Sequence, residues 1–312
     1  MPAPPKISVI LTTHNRRSLL PRAIESVISQ DEPDFELIIV DDFSTDGTSQ
    51  YLATLTDARI RTIRPAQNVG FSAARNLGLA AATADIVAVL DDDDAYLQGR
   101  LSKPLAVFAR YSDVVVTLSS AERLSPKRRH VQQWPELKMS SAAFEWAMAS
   151  MILGPEGTSL TFRRKIANEI GGFNNSLLWY ADMEFLIRLV RRGAGYLIAD
   201  TLWRKFWSHD ALTTNWSWTG PDFLILAAVQ SEYFAHHRKL RTYLATKILA
   251  ADLKRGLFGA FWRDLRNFRS AGFIDNNVIG MYRNHRELGR YRRKMSNPAA
   301  LAGMTGPPDS WH

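Results

Sequence analysis

Asp85-Ile-Val-Ala-Val-Leu-Asp-Asp-Asp-Asp94 runs a continuous apolar stretch straight into four successive carboxylates. The apolar half, Asp85 to Leu90, predicts a strand buried on both faces, which puts the acidic half at its C-terminal end. Carboxylates this close repel one another, and a hard divalent cation resolves the repulsion. Mg²⁺ or Mn²⁺ takes oxygen ligands, one or two of them carboxylates, and completes its shell with phosphate oxygens and water. Taken alone, an acidic run reads as a solvated turn. Its neighbours change that reading.

Upstream, strand and helix signals alternate. Ile7 to Thr12 reads as a strand, and Ser18 is placed to cap a helix with Leu20, Ile24, Val27 and Ile28 on one face. Phe35 to Val40 reads as a second strand ending in the turn formers Asp41 to Gly47, before a helical stretch at Tyr51 to Leu55. Ile60 to Ile63 is a third strand and the Ala-rich segment Phe71 to Ala82 a closely packed helix. Continuous apolar strands alternating with helices predict a parallel α/β sheet covered on both faces. Ligands in such sheets sit beyond the carboxyl ends of the strands. Here those ends carry Thr12-Thr-His-Asn15, Asp41-Asp42 and Asp91 to Asp94. No G-x-G-x-x-G follows the first strand and no P-loop is present, so dinucleotide-binding enzymes and P-loop NTPases are disfavoured.

Further on, Leu101 to Arg110 reads as a helix, Val114 to Leu118 as a strand, and the basic stretch Glu122 to Lys138 as an irregular surface excursion. Asp182 opens a periodic helix with Met183, Leu186, Ile187 and Val190 on one face and Glu184 and Arg188 as an i,i+4 pair. Beyond Pro221 the pattern is mostly helical. The chain has 312 residues, 46% of them hydrophobic, enough for a large α/β domain plus an appendage. It has no cysteine, so disulfides and thiolate metal sites are excluded. The opening Met1-Pro-Ala-Pro-Pro5 lacks the pattern of a signal peptide and no apolar run is long enough to span a bilayer. The expected location is therefore the cytoplasm, with the inner face of the membrane left open.

Ile7-Ser-Val-Ile-Leu-Thr-Thr-His-Asn15, Leu37-Ile-Ile-Val-Asp-Asp-Phe-Ser-Thr-Asp-Gly47, Asn68-Val-Gly-Phe-Ser-Ala-Ala-Arg-Asn76, Val89 to Asp94 and Ala181-Asp-Met-Glu184 together resemble the ordered motifs of family 2 inverting glycosyltransferases. The resemblance covers roughly residues 6 to 215. It implies a GT-A fold, a nucleotide-sugar donor, an oxygen-bound Mn²⁺ or Mg²⁺, and transfer with inversion to a hydroxyl of a cell-envelope glycan, a lipid-linked sugar or a similar acceptor. The implied organisation is a catalytic domain over 1–220, with its nucleotide-sugar part at about 6–120, and a basic helical region over 221–312.

Carried over position by position, the resemblance puts Thr12 and His14 against base and ribose, with Asn15, Arg17 and Asn68 in the same donor site. Asp42 would accept from the base edge, which suits a pyrimidine imide N–H, and Arg75 would lie near base or phosphates. Asp91 and Asp93 occupy the D-x-D positions, with Asp93 the first choice of metal ligand. Asp92 would contact ribose or metal, and Asp94 would support the turn or the sugar. Asp182 would be the general base, although Asp is also a favoured helix N-cap. The family commonly has an acid before it, where this chain has Ala181. His209 matches a loop histidine and is a candidate third metal ligand, equally readable as a structural histidine. Of the aromatics Trp179, Tyr180, Trp203, Trp207, Trp216 and Trp218, one or two are expected on the acceptor and the others in the core.

The formal charge of +8 is uneven: His236 to Lys294 holds 15 Lys or Arg against four acids. Within it Phe258, Phe261, Trp262 and Leu265 form an i, i+3, i+4, i+7 stripe flanked by arginines. Such a stripe packs on the catalytic domain or on a second subunit of a homo-oligomer, or it lies on an anionic bilayer. No nucleic-acid-binding module is recognisable. Two other functions compete. A sugar-phosphate nucleotidyltransferase would need a Gly-rich cationic loop after the first strand, where this chain has Thr12-Thr-His-Asn-Arg-Arg17. A catalytically weak sugar- or nucleotide-binding scaffold rests only on Ala181.

Overall fold

Alternation of side chains along each strand explains the layers seen in the computed structural model, which describes residues 4–126, 128–154, 156–207, 219–274, 278–295 and 297–308. The first four strands are β1 (Ile7–Thr13), β2 (Phe35–Asp41), β3 (Ile60–Ile63) and β4 (Ile86–Asp91). They lie in the order β3-β2-β1-β4, all parallel. Ile7, Val9 and Leu11 point into one core with Leu37, Ile39, Ala88 and Leu90, while Ile10, Ile38, Val40, Val87 and Val89 point into the other. Strands that feed two cores are apolar at most positions, and two buried exceptions, Ser8 of β1 and Glu36 of β2, bond each other at 2.6 Å.

The connecting helices are α1 (Leu20–Ile28), α2 (Thr48–Leu52) and α3 (Phe71–Ala81). Ser18 does not cap α1: the cap position is Leu19, with no side-chain bond, and Pro21 pre-sets the first turn instead. α3 crosses β1 so closely that a Cβ on Gly78 would lie 2.5 Å from Ile10 Cγ2.

Beyond β4 the sheet is mixed. The chain continues through β5 (Asp94–Tyr96), α4 (Ser102–Arg110), β6 (Val114–Ser125), β7 (Arg128–Gln132), β8 (Leu137–Met139), α5 (Ser141–Ala149), β9 (Leu160–Arg163), α6 (Arg164–Glu169), α7 (Ala181–Val190) and β10 (Ala194–Phe206). β9 inserts antiparallel between β4 and β6, and the full order is β3-β2-β1-β4-β9-β6-β10-β5. The segment from Glu122 to Lys138 is not an irregular excursion. β6 extends to Ser125 and turns back as β7, and β8 pairs with β10. Arg128, Arg129 and His130 of β7 are all exposed, so charge there marks a strand open to solvent on both faces.

The expected Glu184–Arg188 pair forms at 2.6 Å, with Glu184 fully buried, and Arg188 also bonds the carbonyls of Ile170 and Gly172. Six helices follow: α8 (Thr219–Val229), α9 (Ser231–His236), α10 (Arg238–Lys254), α11 (Phe258–Ser270), α12 (Val278–Met295) and α13 (Pro298–Ala302). Phe223, Phe234, Tyr243 and Phe268 from these helices join the same apolar cluster as Phe162, Phe173 and Phe185 of the sheet side. Among the described residues no helix is long and apolar enough to cross a membrane.

Candidate active site

Register places the three polar strand ends side by side, since Thr12 pairs with Val40 on one side and Asp91 on the other. The loops beyond are clipped together by their own polar groups. Asn15, in the left-handed region at φ 54°, donates its N–H to Ser44 Oγ at 2.9 Å and accepts from the Thr45 N–H at 2.7 Å. Both carboxylate oxygens of Asp42 accept backbone N–H groups, from Val69 at 2.7 Å and Gly70 at 2.9 Å. The Asp42 carbonyl lies 2.7 Å from His14 Nδ1 and 3.1 Å from Asn68 Nδ2. Thr12, His14, Asn15, Asp42 and Asn68 therefore share one cradle. Asp41 is committed to the turn, accepting from the Ser44 N–H at 2.9 Å and from Ser49 and Arg64. Arg17 is turned away: its guanidinium stacks on Tyr51 at 3.8 Å.

The acidic block is held by cations and one hydroxyl. Arg16 Nη1 lies 2.7 Å from Asp93 Oδ2 and 3.4 Å from Asp92 Oδ1, and Arg22 Nη2 donates to the Asp93 carbonyl at 2.6 Å. Thr158 Oγ1 donates to Asp94 Oδ2 at 2.6 Å, while Asp94 Oδ1 is buried with no hydrogen-bond partner. Burial pushes the Asp92 carboxyl up to about 7, against the pull of Arg16. Burial, reinforced by Asp91, lifts Asp94 well above the carboxylate range, partly offset by Lys205. Beside Asp93 a cleft of about 290 Å³ opens between Leu19, Arg22, Leu124, Phe206 and Trp207.

Arg75 joins this block to α7. Its side chain is fully buried; Nη2 lies 2.6 Å from Asp91 Oδ1 and Nη1 bonds Asp182 Oδ1. A ring face backs it, with Phe71 3.8 Å from the guanidinium carbon. Asp182 lies in the first turn of α7, whose cap residue Tyr180 makes no side-chain bond, and its carboxylate is turned to Arg75. Burial raises the Asp182 carboxyl, Arg75 opposes the rise, and Asp91 adds to it. Gly157 fits against this pair because it has no side chain: a Cβ there would fall on Arg75 Nη2 and 3.1 Å from Asp91 Oδ1.

Several of these residues escape a linear reading. Arg16 pairs with Asp93, although only its neighbour Arg17 stands out from the motif, and Gly157 and Thr158 carry no motif that marks them as site residues. Asp222 of α8 is another: its Oδ2 accepts the backbone N–H groups of Leu178 (2.9 Å), Trp179 and Tyr180 (3.1 Å), immediately before α7. Of the aromatics, Tyr180 and Trp203 are buried in the cores and Trp207 is half exposed on the cleft. His209, Trp216 and Trp218 lie outside the described residues. Among the described residues no three His, Asp or Glu groups form a self-contained metal cage.

The sequence model for glycosyl transferase family 2 matches residues 8–171, more than half of the chain. The chain belongs to this family. An uncharacterized glycosyltransferase of Nostoc sp. is 32% identical over 171 residues, 53% of either chain. WcaA of Escherichia coli K12, a putative colanic acid biosynthesis glycosyl transferase, is 40% identical over 115 residues, 36% of this chain and 40% of its own. TuaG of Bacillus subtilis 168, a putative teichuronic acid biosynthesis glycosyltransferase, is 40% identical over 103 residues, 32% of this chain and 41% of its own. The family 2 chain thus spans about half the length, or less, of these relatives. In fold it is similar to S. aureus TarS 1-349, solved in complex with UDP-GlcNAc, with a TM-score of 0.62 at 18% identity over 95% of this chain and 82% of that one. The GT-A-type α/β architecture, including a helical C-terminal region, is the one the sequence motifs imply.

Proposed function

We propose that this family 2 chain is an inverting glycosyltransferase that moves a sugar from a nucleotide-diphosphate donor, a UDP-sugar, to a hydroxyl of a cell-envelope polysaccharide or its precursor. One observation carries the reading: a single buried guanidinium, Arg75, touches both the first carboxylate of the acidic block and Asp182 of α7. That contact holds a candidate base opposite the block where a diphosphate would lie. The envelope acceptor rests on WcaA and TuaG, and the UDP-sugar on TarS.

In this reading the cradle of Thr12, His14, Asn15, Asp42 and Asn68 receives base and ribose. Asp182 takes the proton of the acceptor hydroxyl as that oxygen bonds to the anomeric carbon. The bond from that carbon to the diphosphate oxygen breaks on the opposite face, and its electron pair leaves with the nucleotide. Burial raises the carboxyl of Asp182 and the Arg75 guanidinium opposes the rise, so its environment tunes it as a base's would. The block also suits an oxygen-bound Mn²⁺ or Mg²⁺: all its donors are carboxylate oxygens, one Asp94 oxygen has no partner, and Arg16 stands on Asp93 as a surrogate cation. Asp93 and Asp91 would hold the metal, which when bound neutralises charge developing on the diphosphate. Arg16 would then turn from Asp93 to the donor's phosphates.

Calorimetric titration of UDP with Mn²⁺, paired with an assay of UDP release, tests the assignment. Asp182→Asn is expected to leave UDP affinity within about twofold while transfer falls by about 10³. Asp93→Asn is expected to lose the Mn²⁺-dependent part of UDP binding. Undiminished turnover in Asp182→Asn would remove the base from this account.

A further inference from the structure

The apolar stripe of α11 does not stay on one side of its surroundings. Its inner half, Phe261 and Leu265, packs with buried Phe268 against the main apolar cluster, where Phe268 stacks on Phe273 and meets Phe223 edge-on. Its outer half is largely exposed. Phe258 and Trp262, one helical turn apart, are 62% and 64% exposed, the Trp262 ring meeting Phe261 edge-on at 5.2 Å, and Leu253 near the end of α10 is 47% exposed. Continuing along the same outer line at i+4 and i+7 from Trp262 come Arg266 and Arg269, both exposed, with Lys254 and Arg255 exposed at the α10–α11 turn. From Leu253 to Ser270 the chain has five Lys or Arg and one acid, Asp264, which is buried against Arg263. No carboxylate of this segment therefore reaches the outer face.

We propose that the α10–α11 corner is a peripheral anchor for an anionic bilayer surface. Phe258, Trp262 and Leu253 enter the headgroup and upper acyl region while Lys254, Arg266 and Arg269 pair with lipid phosphates. The chemistry on each side of the contact supports this occupant. Aromatic rings with a cationic flank match the boundary between acyl chains and anionic headgroups, where rings are half buried and arginines reach the phosphates. A second copy of this chain fits less well, because a two-fold contact through the corner would bring two surplus-positive faces together. The anchor is independent of the catalytic assignment, since no residue of the cleft takes part.

Co-sedimentation of the full chain with vesicles tests it. Binding is expected to vesicles containing about a quarter phosphatidylglycerol, to be absent from pure phosphatidylcholine, and to weaken steeply with salt. The double variant Phe258→Ser/Trp262→Ser and the double variant Arg266→Glu/Arg269→Glu should each lower the partition coefficient by about tenfold or more, with melting temperature and UDP binding unchanged. Failure of the wild-type chain to bind anionic vesicles would overturn the proposal, as would binding unaffected by either double variant. A concentration-dependent dimer in sedimentation velocity, abolished by Phe258→Ser/Trp262→Ser, would assign the corner to self-association instead.

Discussion

A guanidinium with no exposed surface must have its donors met inside the protein, and Arg75 is met by two carboxylates, one of them 107 residues further along the chain. Its chemistry is visible in the Asn68 to Asn76 motif, but its partners are not. Ion pairing across that separation leaves no local pattern, so a position expected near base or phosphates sits between Asp91 and Asp182. Gly157 supplies a sensitive probe. Adding one methyl there displaces Arg75, so Gly157→Ala should lower stability by about 2–4 kcal/mol in urea melts and reduce turnover. Gly157→Ala combined with Arg75→Ala, which vacates that space, should regain most of the stability but not the turnover. Arg16 gives a second test, of the cation on the acidic block. Removing it in Arg16→Gln should raise the affinity of the nucleotide-free protein for Mn²⁺ by about tenfold, measured by electron paramagnetic resonance, because the ion no longer competes with a guanidinium within hydrogen-bond distance of Asp93. The same variant should bind UDP more weakly.

Among elements, those legible in the sequence are those whose pattern is local. β1, β2 and β4 are continuous apolar runs, and α7 repeats its apolar face every three to four residues, so each is found close to where it is expected. β9 is different: Thr158 to Arg163 reads as a short strand, but its antiparallel place depends on partners some 45 to 75 residues away, which no window of sequence reports. Likewise β7, whose exposed basic residues are consecutive, and the three-residue β8 read as surface loop until their pairing is seen. The approach to α7 depends on a distant group as well. Asp222 accepts three consecutive N–H groups through one oxygen, so Asp222→Ala leaves residues 178–180 without acceptors. We expect a stability loss of about 2–3 kcal/mol and turnover down by about tenfold with UDP affinity kept. Hydrogen exchange should speed up at the Trp179 and Tyr180 amides.

At the scale of the molecule, the helices after Thr219 are bound into the catalytic part by shared apolar packing. Phe223, Phe234 and Phe268 are each fully buried in the cluster that also contains Phe162 and Phe185. The sequence marks this region as helical and basic, but a helix's inner face does not say which surface it covers. A chain truncated after residue 218 would expose that cluster and remove Asp222, so it should lack a cooperative thermal transition and be recovered insoluble, as scanning calorimetry and solubility assays would report. The bridge through Arg75 also bears on how such chains are recombined. A crossover drawn between β5 and β6 takes Arg75 and Asp91 from one parent and Gly157 and Asp182 from the other. Swapping acceptor halves between relatives then grafts a foreign wall onto a native clamp, and hybrids should be viable only when the incoming half brings both a small residue at 157 and a carboxylate at 182.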